Sequence, residues 1–310
     1  MKKECTFLSK DGKTKIHTIE WQPEKEPKAV VQICHGMLEY IDRYDEFATF
    51  LTESGFVVVG HDHLGHGQSV TSEDARSHFD PLFGNEYLIG DIHKLRLLTQ
   101  KKYPGKPYFM LGHSMGSFLL RQYIELYGKG LSGAAILGTA TQPVSVIAAG
   151  RAMCSSIASV RGWDYRSTLI QKLSFGNVNE RCKPLRTKND WLTKDEKIVD
   201  LYNENPWTQV GFTVSAYNQM FRGIQFMQNP KNVERIPKNL PIILASGADD
   251  PIGNYGKGVV SVYAQYKECG IEDVSMRLFR TDRHEILNET DKDEVFEYLK
   301  NWFIEKLAKQ

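Results

Sequence analysis

The sequence contains no apolar run near the ~18 residues of a membrane-spanning helix, and no apolar core follows Met1-Lys2-Lys3-Glu4-Cys5 as in a secretory leader. A soluble, cytoplasmic protein with no integral membrane segment is therefore expected. Neither sign of charge is in excess: 39 Lys and Arg stand against 38 Asp and Glu, a formal net charge of +1. Such a balance supplies no basic field for nucleic acid or an anionic membrane, and it favours a small, roughly neutral substrate. Cysteine is sparse and unpatterned. Cys5, Cys34, Cys154, Cys182 and Cys269 are odd in number and form no CxxC pair, so neither a disulfide framework nor a cysteine-based zinc site is indicated, and reduced thiols are expected. Internal repeats and low-complexity tracts are also lacking.

What is present is an apolar fraction of 41% and a charged fraction of 25% over 310 residues, the make-up of a soluble globular enzyme. That length allows one large α/β domain with an insertion or two modest domains. Cys5 to Leu8 and Lys15 to Trp21 read as an edge hairpin around Asp11-Gly12. Ala29 to Cys34, Phe56 to Gly60, Tyr108 to Leu111 and Gly133 to Leu137 read as buried strands. Helical spacing lies between them: Tyr44, Phe47, Ala48 and Leu51 behind an N-cap at Asp42, and Leu88, Ile92, Leu95 and Leu98 ahead of Pro104-Gly105. Buried strands alternating with helices imply βαβ units and a doubly wound, mostly parallel sheet. The rhythm breaks from about Thr141 to Val233, a stretch rich in Trp, Phe and Met, and resumes with strands at Leu240 to Ala245 and Val274 to Phe279. The expected organisation is a core over 1–140 and 236–310 with an inserted helical cap over 141–235. Trp163, Phe175, Trp191, Trp207, Phe212, Met220, Phe221 and Met227 serve there either as the cap's own core or as the lining of an acyl pocket.

Chemistry concentrates at Gly112-His113-Ser114-Met115-Gly116, a GxSxG between a strand and a helix patterned by Phe118, Leu119, Tyr123 and Leu126. In that context the serine is held on a sharp turn with its hydroxyl exposed. A serine hydroxyl is a weak nucleophile unless a histidine and an orienting carboxylate reach it, here expected in the order acid, then histidine, on loops after later strands. His284, after Val274 to Phe279, is the only histidine C-terminal to Ser114. Asp249 and Asp250 compete for the acid; Asp250 is favoured because Pro251 biases it toward extended backbone. The oxyanion donors are expected to be the backbone N–H of Met115 and that of Met37, in the loop after Ala29 to Cys34.

His61, Asp62, His63 and His66 form the densest histidine cluster. They lie on one strand end and one Gly-interrupted turn, whereas metal ligation needs several convergent ligands, so no metal is assigned and a buried turn supporting the oxyanion loop is preferred.

The chain resembles the α/β-hydrolase superfamily, and within it the monoacylglycerol lipase and lysophospholipase-like serine hydrolases, grouped with the serine aminopeptidase-like hydrolases. The resemblance rests on His35-Gly36-Met37-Leu38-Glu39 through Arg43-Tyr44, Asp62-His63-Leu64-Gly65-His66-Gly67-Gln68-Ser69, Gly112 to Gly116, Gly247 to Ile252, and His284. It implies an α/β-hydrolase fold with a helical cap, Ser114 as nucleophile, Asp250 as acid, His284 as base, Met37 and Met115 as oxyanion donors, and no cofactor. Tyr40 departs from the family's usual histidine, and Trp191 to Glu196 looks like cap segments of bacterial lysophospholipase-like members. The activity so implied is hydrolysis of monoacylglycerols, lysophospholipids or similar acyl esters, with transient interfacial contact through the cap. An amidase, peptidase or small-substrate esterase of the same fold and a non-catalytic binding protein are the alternatives, and oligomeric state is left open.

Overall fold

The computed structural model describes residues 1–309. Eight strands form one sheet: β1 (Lys2–Leu8), β2 (Lys15–Trp21), β3 (Ala29–Cys34), β4 (Phe56–His61), β5 (Tyr108–His113), β6 (Gly133–Leu137), β7 (Ile242–Gly247) and β8 (Val274–Phe279). Their order is β1-β2-β4-β3-β5-β6-β7-β8, with β1-β2 and β2-β4 antiparallel and the rest parallel. The five strands β3 to β7 are buried along their whole length, as a sheet covered on both faces requires.

Successive side chains of a strand point to opposite faces, and this alternation divides the core in two. Val57 and Val59 of β4, with Met110 of β5, join the core under α2 (Gly84–Lys102), α3 (Met115–Tyr127) and α9 (Lys257–Glu268). Phe56 and Val58, with Phe109 and Leu111, face α1 (Asp45–Glu53) and α10 (Lys292–Leu307), where Phe296 and Phe303 close the layer. The expected doubly wound α/β-hydrolase fold is thus observed. Between β6 and β7 run α4 (Val144–Arg161), α5 (Thr168–Phe175), α6 (Glu196–Glu204), α7 (Val214–Met227) and α8 (Pro230–Val233), with no strand in the stretch.

Several local expectations need correction. Asp42 caps no helix: it lies inside a 3-10 turn over Ile41–Tyr44, and its carboxylate pairs with Lys2. The α3 stripe is not amphipathic. Ser117, Arg121, Gln122 and Glu125 are buried along with Leu119 and Tyr123, because α3 lies between the sheet and the inserted helices, while Leu126 is exposed. Leu98 of α2 likewise faces outward. Strand β7 begins at Ile242 rather than Leu240, since Pro241 has no N–H to offer the ladder.

Candidate active site

Strand β5 turns into α3 at Ser114, which adopts φ 54° and ψ −121°. A non-glycine residue there stores on the order of 1–3 kcal/mol of backbone strain, which the surrounding packing sustains. The turn closes only because its flanks lack side chains: a Cβ on Gly116 would collide with the carbonyl oxygens of Cys34 and His35, and one on Gly112 with the carbonyl of Gly116. Ser114 N–H donates to the Leu137 carbonyl (3.0 Å), while its own carbonyl accepts from Ser117 N–H (2.9 Å) and Ser117 Oγ (2.6 Å). The serine therefore stands at the N-terminus of α3, where the helix dipole favours negative charge.

His284 sits in the loop after β8, and its Nδ1 lies 3.0 Å from Oδ2 of Asp250 in the loop after β7. The contact is within hydrogen-bond range, with the ring N–H off the line to the oxygen. Asp250 is fully buried and accepts from Ile252 N–H (2.8 Å) and Ser246 Oγ (3.1 Å). Burial pushes its carboxyl pKa upward, but His284 and these donors outweigh that and hold it below the ordinary value. Asp249, by contrast, faces solvent 3.7 Å from Arg181. Ser114, His284 and Met37 line one cavity of about 700 Å³. Among the described residues, no hydrogen bond engages the N–H of Met37 or of Met115, so both donors are unspent.

A charged network lies behind this constellation. Glu39 accepts from Gly36 N–H, Tyr44 Oη (3.0 Å) and Arg43 Nη1 (3.0 Å), and Arg43 forms a two-pronged pair with Glu285, 2.7 Å at each prong. His113 bridges Glu39 Oε1 (3.2 Å) and the His284 carbonyl (3.1 Å). Burial works against the His113 imidazolium, but Glu39 more than compensates and raises its pKa. Glu39 and Glu285 are held below the usual carboxylate range by His113 and Arg43 against the cost of burial. The loop that carries Met37 is thereby tied to the loop that carries His284. Sequence reasoning did not find this network. Charged residues read by default as a solvated face, and only the four-residue spacing of Glu39 and Arg43 hinted otherwise.

The histidine cluster packs beneath the same loop. His35 Nε2 accepts from His63 N–H (2.8 Å), and the His35 ring lies 4.2 Å from that of His63 and 5.3 Å from that of His66. Asp62 accepts from Ile41 N–H (2.8 Å) and Gln68 N–H (2.9 Å), with His17 Nδ1 2.9 Å away. Burial depresses the pKa of His35 and His63 and takes those of His61 and His66 down to about 3, so all four rings are neutral. The three carboxylates Asp282, Glu289 and Asp291 also converge, but Lys194 already occupies them, with Nζ 3.2 Å from Asp282.

The aromatic and methionine residues of the inserted stretch divide between both roles. Phe212 and Met227 are fully packed, whereas Phe175, Trp191, Met220 and Phe221 line the cavity. Tyr40 meets this stretch: its hydroxyl accepts from Asn205 Nδ2 (2.9 Å), and its ring stands edge-on to Trp207 at 5.2 Å.

The model of the family described as serine aminopeptidase, S33, matches residues 25–291. The monoglyceride lipase of Rattus norvegicus is 25% identical over 300 residues, 93% of this chain and 86% of the relative. The monoacylglycerol lipase of Mycolicibacterium smegmatis is 23% identical over 98% of each chain. Among solved structures, a thermostable carboxyl esterase from Bacillus coagulans, in complex with glycerol, superposes with a TM-score of 0.91 at 29% identity over 99% of each chain.

Proposed function

Since the chain belongs to the S33 serine aminopeptidase family of hydrolases, we propose that it is a cofactor-independent carboxylic-ester hydrolase acting on monoacylglycerols through Ser114, His284 and Asp250. One observation carries this reading: the strained serine and its histidine open onto a single, largely apolar cavity of about 700 Å³. That volume falls within the roughly 300–1,000 Å³ typical of small-ligand sites. Ile147, Met153, Ile170, Phe221 and Ile224 offer an acyl chain an apolar wall, while Gln171, Asn189 and Gln209 offer hydrogen bonds to a hydroxylated leaving group. The relatives named monoglyceride and monoacylglycerol lipase support the same substrate class.

In this mechanism Ser114 Oγ attacks the ester carbonyl as His284 Nε2 takes its proton. Asp250 holds and stabilises the imidazolium, and the N–H groups of Met37 and Met115 receive the oxyanion. Collapse expels the alcohol with the proton from His284. Water, deprotonated by the same ring, then releases the fatty acid.

A peptidase reading is weaker. The carboxylates on the cavity wall, Glu39 and Glu285, are both committed to Arg43, so neither is available to anchor the ammonium of a peptide N-terminus. Interfacial contact through 141–235, taken as a cap, is supported by Val146 and Leu173, which line the cavity and are 55% and 64% exposed. No helix among the described residues is long and apolar enough to cross a membrane. The free thiols agree with a cytoplasmic setting.

The test is acid release at fixed pH from a long-chain monoacylglycerol, a matched lysophospholipid and a short activated ester, with Ser114→Ala as control. Fast release from the monoacylglycerol, lost in the variant by as much as ~10⁶-fold, is expected. Release confined to the short ester overturns the substrate class, and turnover unchanged in Ser114→Ala overturns the mechanism.

A further inference from the structure

A second aromatic ring lies beside His284 and has no part in the mechanism above. Trp191, between α5 and α6, places its indole 5.0 Å from the imidazole, with the planes inclined at 37°. The backbone fixes this approach. His284 N–H donates to the Trp191 carbonyl (3.4 Å) and Glu285 N–H to the Leu192 carbonyl (2.7 Å). Arg283 Nη1 donates to the carbonyls of Asp190 (2.6 Å) and Thr193 (3.1 Å), and Trp191 N–H to Asn179 Oδ1 (2.9 Å). The histidine loop and the segment 190–193 are thus laced together along four residues, with both rings on the cavity wall.

The ionisable groups around the imidazole all have partners. Asp250 lies 3.0 Å from Nδ1, and the ring of His113 is 4.8 Å away and tied to Glu39. Glu285 is paired with Arg43 and Glu39 with Arg43 and His113, Arg283 is spent on carbonyls, and Asp282 is paired with Lys194. From the inserted stretch the imidazole meets the uncharged, tilted indole ring of Trp191.

We propose that Trp191 is a positioning residue for His284, its indole π system favouring the imidazolium over the neutral ring. The proposal rests on the Ser-His-Asp reading. As Oγ of Ser114 bonds to the carbonyl carbon, the C=O π pair moves to oxygen and the Oγ–H proton passes to Nε2. The ring is charged only from that moment until it returns the proton to the leaving alcohol. A cation–π contact within ~6 Å therefore strengthens in the transition state and lowers the barrier.

The experiment measures kcat/KM against pH for the short ester p-nitrophenyl acetate, which makes little use of the acyl wall, in Trp191→Leu, Trp191→Phe and Ser114→Ala. Trp191→Leu is expected to lose roughly 3- to 30-fold on the plateau, with the acid limb moving to lower pH. The direction follows because a disfavoured imidazolium leaves the base unprotonated to lower pH. Trp191→Phe is expected to recover most of both effects. A plateau loss with an unmoved acid limb, or Phe no better than Leu, overturns the proposal in favour of a packing role, as does an unchanged profile. Trp191→Met replaces Leu should that variant not fold. Turnover that survives Ser114→Ala overturns the triad itself, an outcome separate from all of these.

Discussion

Asp250 Oδ2 and His284 Nδ1 lie 3.0 Å apart with both side chains sealed from solvent, while Asp249, one residue earlier, points outward toward Arg181. The two carboxylates are therefore expected to differ sharply. In the proposed mechanism Asp250→Asn keeps the shape but loses the charge that holds the ring and balances the imidazolium, and kcat should fall by on the order of 10³–10⁴. Asp249→Asn should stay within about twofold. Steady-state rates on one ester decide it, and equal losses in the two variants would remove Asp250 from the acid's role.

The split between what could and could not be read in advance follows from range. Strands β3 to β7 announce themselves through local apolar runs, and GxSxG carries its turn in its own glycines, so the fold and the strained turn at Ser114 were legible from neighbours in sequence. That Asp250 and His284 would meet was legible only through chain order and loop position. The Arg43–Glu285 pair spans 242 positions, and the lacing of Trp191 to His284 spans 93. Neither has a local pattern, because nothing in the side chains themselves says which distant partner will neutralise or flank them. The α3 pattern misled for a related reason: it rests on Phe118, Leu119, Tyr123 and Leu126, whereas Arg121 and Glu125 are buried as well and Leu126 is exposed, because α3 packs against α7 in addition to the sheet.

Arg43 is shared by two buried carboxylates, Glu39 and Glu285, and His113 is the second partner of Glu39. Removing Arg43 strands Glu285 and leaves Glu39 with His113, so Arg43→Leu should destabilise the fold by roughly 3–5 kcal/mol, the usual cost of breaking a buried pair. Arg43→Lys keeps the charge but not the two-pronged geometry and should cost less. Urea unfolding midpoints test the order. A leucine variant as stable as the parent would mean the network contributes nothing to the fold.

Acid sensitivity should trace to the neutral histidines. His61 and His66 have pKa values of about 3 in the folded chain against 6.5 when unfolded. Between those limits the unfolded chain binds protons that the folded chain excludes, so the stability they confer is full above about pH 6.5 and is lost as pH falls toward 3, at about 1.4 kcal/mol per group per pH unit. His17 and His113 are shifted upward and act in the opposite sense, losing their contribution as pH rises. Neither ring nitrogen of His61 has a partner among the described residues, and the ring packs on Phe7 and His63. His61→Phe should therefore fold and should flatten the stability-against-pH slope below pH 6 by about one proton. A slope identical to the parent's would rule out His61 as a contributor.

The cavity itself yields the sharpest test of the acyl assignment. Met153 lines it beside Ile147, Ile170 and Phe221 and is only partly buried, leaving room for a larger ring. Met153→Trp would take the space of about three methylenes. At ~0.8 kcal/mol each, their loss lowers kcat/KM for a long-chain monoacylglycerol by about 50-fold. A butyryl ester does not reach that wall and should react within about threefold of the parent rate. The chain-length profile of kcat/KM is the measurement, because it separates a shortened pocket from a damaged catalytic centre. A parallel fall at every length would place the acyl chain elsewhere and leave this wall to the leaving group.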